Sequence, residues 1–572
     1  MSKKDFQNWS KEKLLHEYKE LLKRKKFGIV WEDKPEDVAE QCKTSLPVLK
    51  EEKKKDLSAD NNDVTHIIIE GDNYHALSVL NYTHKRKVDV IYIDPPYNTG
   101  NKSWMYNNHY VEKDDRYRHS KWLSFMSKRL RLAKNLLKDN GAFICAIDDY
   151  ELNTLGLLLE EFFPSYDKNI IVVEHHPQGA GSITISRTHE YAYVLTPKGM
   201  SIEGRSTNSE VSRWSLKRSG QGENNWRKSR PNQFFAVLVD TKKSKVVGAE
   251  VAIPRDQKKY PKETTREGCL RIYPLGKKGE ERCWRYNRDT MLELIEQGAI
   301  EYTKQGSLVV RKSGVAASPI FSVWKGARYN AGTHGANLIA QIISKNFPYP
   351  KSLYTVFEMI SMIAKHRKNA IVLDFFAGSG TTGHAVLELN KEDNGQRQFI
   401  LCTNNEDNNG SGNKIAADIC YPRIKNVMRG YAAKGEKVKG LGGNLKYFST
   451  VFVDNVKTDN DKRIFTSRCA EMLCLAEATF DEMVNKKGAF AIYENQKQMT
   501  GIIYDEDAIA DFKKEAKKYQ KSFVVYVFSY DHTYNEEDFE DLENLRTVKP
   551  IPEIILNVYR KIYKELYKPR HL

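Results

Sequence analysis

Apolar positions along the chain recur with two periods, and their alternation outlines an α/β protein. Short, β-branched runs at 65–69, 88–93, 141–147, 170–173, 370–374 and 398–403 read as buried strands. Residues 189–195 alternate polar and aromatic positions, which predicts one more. Spacing of three and four predicts helices between them. One follows the strand at 65–69 and runs through Leu80. A second spans 120–138, where Trp122, Phe125, Met126, Leu130, Ala133, Leu136 and Leu137 share a face. Asp148 and Asp149 are expected to cap the helix after the 141–147 strand. Further helices start near 352, at 384–389 and around 421–425. Leu14, Leu15, Tyr18, Leu21 and Leu22 predict an amphipathic helix over 10–26, followed by solvated linker at 50–63. From 451 the pattern changes to a separate α+β unit. It is read as a helix at 468–485, strands at 489–493, 501–504 and 522–528, and a final helix at 551–567.

Two breaks in this pattern carry chemistry. The strand at 88–93 stops at Asp94-Pro95-Pro96-Tyr97-Asn98-Thr99-Gly100, where the prolines remove backbone donors and fix φ. Asp94 and Tyr97 therefore sit on a stiff loop beyond the carboxyl end of a strand, where open α/β sheets bind ligands. Such a loop suits a flat ring bearing an amine. Asp94 can accept one N–H, a proline carbonyl can accept the other, and Tyr97 can stack. Residues 101–119, rich in Trp and Tyr without a clear period, read as a mobile loop over this site.

The second break follows the strand at 370–374. Asp374 leads into Phe375-Phe376-Ala377-Gly378-Ser379-Gly380-Thr381-Thr382-Gly383, a Gly-rich turn opening a helix. It lacks the Gly-Lys-Ser/Thr of a phosphate loop and the spacing of the dinucleotide fingerprint. Asp374 can instead take an ammonium group and the hydroxyls a carboxylate. Glu406, past the next strand, is placed to hold ribose hydroxyls. A zwitterion joined to a ribose describes S-adenosylmethionine better than NAD or ATP.

Composition narrows the partners. The 572 residues exceed one core, and no apolar run is long enough to span a bilayer. Eight cysteines without paired spacing read as reduced thiols in a cytoplasmic protein, and the adjacent His175 and His176 lack a third ligand, so no metal site is expected. Net charge is +16, and 201–330 holds 26 Lys/Arg against 14 Asp/Glu, interleaved with aromatics. That concentration is the footprint of a nucleic-acid surface.

With both motifs in hand, the chain resembles the β-class amino-methyltransferases of DNA, and within them the modification subunits of type III restriction systems. The resemblance spans about 27 to 450. It rests on Asp-Pro-Pro-Tyr upstream, a central insertion, and Asp-x-Phe-x-Gly-x-Gly at 374–380 downstream. Further matches are 25–32, 97–101, Ile147-Asp148-Asp149 and 423–427. It implies a Rossmann-like, S-adenosylmethionine-dependent sheet built from two permuted halves, with N6 of a flipped adenine as target. The domains expected are an N-terminal arm and linker (1–63), a catalytic half (64–200), a target-recognition domain (201–330), a cofactor-binding half (331–450) and a C-terminal assembly or DNA-support domain (451–572). Asp94, Pro95, Pro96 and Tyr97 would be catalytic. Asp374, Phe376, Ala377, Gly378, Gly380, Thr381 and Glu406 would hold the cofactor, joined by Asp72 and Lys351. Arg213, Lys217, Arg218, Arg227, Lys228, Arg230, Arg282, Arg285 and Arg288 are the candidates for contacting DNA. Partners implied are double-stranded DNA, a second copy in a homodimer, and a restriction helicase-nuclease subunit. Three other readings compete: a recognition subunit whose methylation is secondary, a solitary epigenetic methyltransferase, and an enzyme acting on RNA or protein.

Overall fold

Most of the β-branched runs pair into one sheet, and both of its edges come from segments whose sequence does not announce a strand. In the computed structural model the residues described are 9–23, 29–59, 64–100, 104–107, 109–179, 184–202, 204, 212–265, 267–303, 305–312, 319–406, 412–433, 435–454 and 456–567. Ten strands form the sheet. They are β1 (Ser45–Glu51), β2 (Thr65–Glu70), β3 (Val88–Ile93), β4 (Leu137–Ile147), β5 (Tyr166–Val173), β6 (Glu190–Pro197), β7 (Val323–Trp324), β8 (Ile371–Asp374), β9 (Gln398–Thr403) and β10 (Asn444–Asp454). Their spatial order is β1-β10-β2-β9-β8-β3-β4-β6-β5-β7. The central run from β10 to β4 is parallel, whereas β1 and β6 are antiparallel to their neighbours.

Alternation distributes the strand side chains between two helical layers. Ile67, Ile69, Ile91, Ile93, Phe143, Cys145 and Ile147 join one core with Tyr74, Trp122, Leu130 and Leu155. Those partners come from α1 (Asn73–Thr83), α2 (Arg118–Lys134) and α3 (Leu152–Phe162). Beyond the other face lie α4 (Leu353–Ala364), α5 (Thr381–Asp393) and α6 (Tyr421–Arg429). There a Cβ on Gly383 of α5 would meet Ile424, Leu401 and Phe399 within 3.4 Å, so helix and sheet approach as closely as a glycine permits.

Several expected boundaries move. The helix over 120–138 ends at Lys134, because Leu137 pairs with Val88 and begins β4. Asp148 and Asp149 do not cap α3. Asp148 accepts the backbone N–H of Tyr150 at 3.0 Å instead, and α3 begins after Glu151. The stretch read as a mobile cover holds Trp104 and Tyr106, both buried in the main core, while 101–103 and 108 lie outside the described residues. Of the N-terminal helix, Lys11–Lys23 is described and 24–28 lies outside. Residues 45–51, at the edge of the expected linker, are strand β1.

The C-terminal segment is not separate from this core. Helices Asp459–Ser467 and Ala470–Glu477 replace the first half of the helix expected at 468–485, and Asp481–Lys486 is a strand. That strand opens a five-stranded sheet continued by Phe490–Glu494, Gln498–Ile503, Ser522–Phe528 and Leu545–Ile551. One side has its own core around Phe490, Phe512 and Phe523. Phe465, Leu473, Tyr526, Ile555 and Tyr559 instead join the core of the ten-stranded domain, and Tyr559 donates its hydroxyl to the carbonyl of Pro47 in β1.

Residues Glu203–Ile320 form a second compact unit, against the 201–330 expected for the insertion. Two three-stranded antiparallel sheets build it. Val237–Asp240 and Leu308–Lys312 are their central strands, and the core gathers Leu216, Phe235, Trp284 and Met291.

Because Tyr559 is 7% exposed and docked on β1, replacing it with Ala should destabilise the protein by about 3–5 kcal/mol. Urea unfolding followed by tryptophan fluorescence would measure this. A loss below about 1 kcal/mol, the range of an exposed site, would mean the C-terminal segment does not support the core.

Candidate active site

Parallel neighbours send their carboxyl ends to the same edge, and here four such ends meet. Loops after β2, β9, β8 and β3 carry Asp72, Glu406, Asp374 with its Gly-rich turn, and Asp94 respectively. Val90 and Ile91 pair with Val372 and Leu373, which puts Asp94 and Asp374 at the ends of adjacent strands. Strand β6 runs antiparallel to β4, so its first residue, Glu190, opens on this edge as well.

The Asp94 loop is held from several sides. Trp122 in α2 donates its indole N–H to the carbonyl of Pro96 at 2.7 Å. The carbonyl of Pro95 has no donor among the described residues and remains the one available to a ligand amine. Asn98 adopts left-handed backbone at φ +57°. Its amide donates to the fully buried carboxylate of Glu151 at 2.5 Å and its oxygen accepts from Trp104 at 3.0 Å. His119 contacts the same Glu151 oxygen at 2.6 Å.

Lys351, expected beside the cofactor, has its ammonium against Asp94. Its Nζ lies 3.1 Å from Asp94 Oδ1 and 2.8 Å from Glu190 Oε2, and it also donates to the Tyr97 hydroxyl. Three donors meet three oxygens, so none is left for a ligand carboxylate. Tyr97 in turn donates to Glu190 at 3.1 Å. Burial raises the Asp94 carboxyl above its ordinary value, Lys351 pulls it down, and Glu190 pushes it up again. Burial alone would raise Glu190 too, yet Lys351 beside it holds it below the usual range. Desolvation opposes the charge on Lys351, but the two carboxylates more than offset that and raise it.

The Asp374 side is built differently. Its carboxylate is 3% exposed and accepts from Thr382 Oγ1 at 2.6 Å and the Phe376 N–H at 2.9 Å. No described Lys or Arg pairs with it, and burial raises its pKa to about 7. The hydroxyls expected to take a carboxylate are committed inside the protein. Thr382 serves Asp374, while Ser379 and Thr381 accept from the buried guanidinium of Arg423 at 3.0 and 2.8 Å. Free instead are the backbone N–H groups of Gly378 and Ser379 at the start of α5, for which no described residue is an acceptor. Ala377 is buried, its N–H tied to the Cys402 carbonyl at 3.1 Å. Phe376 is half-buried against Phe125. Gly378 and Gly380 take φ +47° and +78°. Gly378 is approached by the Phe347 ring, 3.7 Å from where a Cβ would stand. Asp72 caps α1 through the Tyr74 N–H at 2.7 Å and pairs with buried Arg129 at 3.3 Å. Glu406 is exposed and close enough to feel the charge of Asp72; 407–411 lie outside the described residues.

In the Glu203–Ile320 unit the nine basic candidates separate. Arg227 is corrected outright: it is 4% exposed, bidentate to Glu281 at 2.9 Å, and bonded to the carbonyls of Pro254 and Gln257. It holds that unit together. Lys217 donates to the Leu275 carbonyl at 2.6 Å, Arg285 to Ser215 at 2.8 Å and Arg288 to Ala249 at 3.2 Å. Arg282 stacks on Trp226 at 3.8 Å. Arg218, Lys228 and Arg230 have no carboxylate partner among the described residues. The side chain of Arg213 lies outside them.

Sequence reading missed Glu190, Glu151, Trp122 and Arg423. The signal for Glu190 was a carboxylate opening a strand that is otherwise aromatic and apolar. The others had none, since their partners are distant in sequence.

A family profile described as DNA methylase matches residues 88–409, more than half of the chain, and the chain belongs to that family. It is 28% identical over 507 residues to the type III restriction-modification enzyme EcoPI Mod subunit of Escherichia phage P1, covering 80% of this chain and 75% of the relative. It is 31% identical over 368 residues to the type II methyltransferase M.KpnI of Klebsiella pneumoniae, covering 61% and 83%. Among solved structures it aligns with an M1.HpyAVI–SAM complex at 14% identity and TM-score 0.29, covering 63% of this chain and 98% of that one. A DNA modification methylase from Thermus thermophilus aligns at 13% identity and TM-score 0.30, covering 66% and 100%.

The groups on this edge fit S-adenosylmethionine: a buried carboxylate with no described Lys or Arg beside it, free N–H groups at Gly378 and Ser379, and two outer carboxylates. An ammonium ligand needs Asp374 ionised, and its raised pKa means that form is lost as pH falls through about 7. Affinity for S-adenosylmethionine should therefore weaken about tenfold per pH unit below that point. Calorimetric titration between pH 5.5 and 8.5 would test it. A flat profile would separate Asp374 from the ammonium.

Proposed function

We propose that the chain is a site-specific DNA methyltransferase acting on N6 of an adenine turned out of the duplex. The observation that carries this reading is the meeting of Asp94, followed by a Pro95 carbonyl that no described donor takes, and Asp374, with no described Lys or Arg on it, at adjacent strand ends. Asp374 would hold the ammonium of S-adenosylmethionine, the Gly378 and Ser379 N–H groups its carboxylate, and Asp72 and Glu406 its hydroxyls. When bound, that cofactor supplies an electrophilic methyl group, which the amine takes with release of one proton. Asp94 and Pro95 would accept the two N–H groups, turning the nitrogen lone pair outward, and Tyr97 would stack on the ring. Eversion costs a few kcal/mol of unstacking. The fixed loop limits what must be reorganised afterwards. Adenine rather than cytosine is supported by Asp, where N4-cytosine enzymes of the class usually carry Ser.

The Glu203–Ile320 unit is the proposed target-recognition domain, with Arg218, Lys228 and Arg230 as its phosphate or base contacts. Kinship with the EcoPI Mod subunit, by its name one subunit of a restriction-modification enzyme, supports a restriction partner for this chain; a homodimer is part of the same proposal. Among the described residues no helix is long and apolar enough to cross a membrane.

Asp94→Ala should abolish methylation of plasmid DNA while leaving cofactor affinity largely intact. Long-read sequencing and calorimetry together would show it, and near-normal turnover would remove Asp94 from its role. Arg218→Ala with Arg230→Ala should weaken DNA binding and reduce the slope of log affinity against log salt by about 2. An unchanged slope would mean the cations face elsewhere.

A further inference from the structure

Asp94 does not stand alone. Its neighbours Lys351 and Glu190 form a buried chain of three charges, with side-chain exposures of 26% for Asp94, 11% for Lys351 and 6% for Glu190. Burying charges is unfavourable unless they are paired and hydrogen-bonded, and this chain carries one net negative charge. The single cation sits between the two anions and nearer to Glu190. Lys351 thereby occupies Oδ1 of Asp94, and the Tyr97 hydroxyl lies against the same carboxylate.

We propose that Lys351 and Glu190 are positioning residues that act through Asp94: Lys351 fixes its carboxylate and keeps it ionised, and Glu190 limits how far Lys351 neutralises it. Lys351 takes Oδ1 and leaves the carboxylate a lone pair to accept from the amine. Glu190 draws the ammonium back, so Asp94 keeps enough negative charge to stabilise an amine that turns cationic as its methyl bond forms. Tyr97, donating to Glu190, is aligned by the same chain. The inference rests on the methyltransferase reading and extends it to residues on β6 and just before α4.

Other ionisable groups face this chain. His175 lies near Glu190 and Lys351, Asp148 feels Lys351, and Tyr92, Cys145 and Asp374 feel Asp94. Burial lowers His175 and raises Tyr92 and Cys145. His175 is thus biased to neutral, and Tyr92 and Cys145 stay protonated near neutral pH. The two charge-removing variants therefore have opposite signatures on Asp94.

The test uses the full-length protein and a plasmid substrate, with S-adenosylmethionine saturating at every pH so that Asp374 does not set the acidic limb, and single-turnover rates from pH 5 to 9. Lys351→Met should slow methylation about 100-fold and move the acidic limb of the rate profile up by about one unit. Glu190→Gln should slow it about tenfold and move that limb down, and this nearly isosteric variant keeps the test open if Lys351→Met fails to fold. Cofactor affinity should stay unchanged in both. Rate losses with an unmoved limb, or a matching loss of cofactor affinity, would overturn the inference while wild-type activity upheld the methyltransferase reading. Wild-type protein unable to methylate any plasmid would overturn both.

Discussion

The site depends on one strand pairing, that of Val88–Ile93 with Ile371–Asp374. Backbone pairing carries no chemistry itself, but it brings together loops whose residues lie some 280 positions apart. A buried carboxylate pins it. Asp89, 5% exposed, accepts the Ile371 N–H at 2.9 Å and pairs with Lys138 at 2.7 Å. An acid in the middle of a buried strand is unfavourable unless its oxygens are satisfied. Here the satisfied acid ties the amino end of one motif strand to the other. The strand is buried on both faces, so apolar pattern alone does not set its register, and the bond from the Ile371 N–H to Asp89 helps to specify it.

The two ends of the cleft treat charge in opposite ways. Around Asp94 every donor of Lys351 is matched, which fixes geometry before any ligand arrives. Around Asp374 a carboxylate is buried with hydrogen bonds but no described Lys or Arg, so its charge is unfavourable and, in the proposed reading, an ammonium would relieve it. The signs agree with this division. Asp374 is raised to about 7 chiefly by burial, whereas Glu190 is held low by its lysine despite burial. Pairing at one end rigidifies, and the missing partner at the other would provide binding energy.

Both motifs were legible because each is local. A β-branched run ending in Asp-Pro-Pro-Tyr, and another ending in an acid and a Gly-rich turn, declare strand, stop and ligand-facing loop within ten residues. What escaped is what tertiary contact decides. Ser45–Glu51 contains Pro47 and charged residues and is a strand because β10 offers it an edge, where proline is tolerated. Asp481–Lys486, mostly exposed, is likewise a strand by pairing and not by pattern. Leu136 and Leu137 extend the helical stripe of α2, yet the pairing of Leu137 with Val88 takes precedence. The basic insertion was legible as charge but not as individual roles. Arg227 and Arg218 look alike in sequence, and only the structure shows that Arg227 is buried against Glu281 while half-buried Arg218 has no carboxylate partner among the described residues.

The same limit bears on Lys351, which the family resemblance groups with the cofactor contacts. In three dimensions the sheet places β6 and β3 within its reach, and two carboxylates outcompete any single ligand carboxylate for its ammonium. Under the proposed reading the cofactor's own carboxylate would meet backbone N–H groups just before α5, where aligned peptide dipoles favour an anion without a formal cation. The division is physically consistent. A lysine serving both anions would have to leave Asp94 each time the cofactor bound, exposing two buried carboxylates to each other in the state that must perform the transfer.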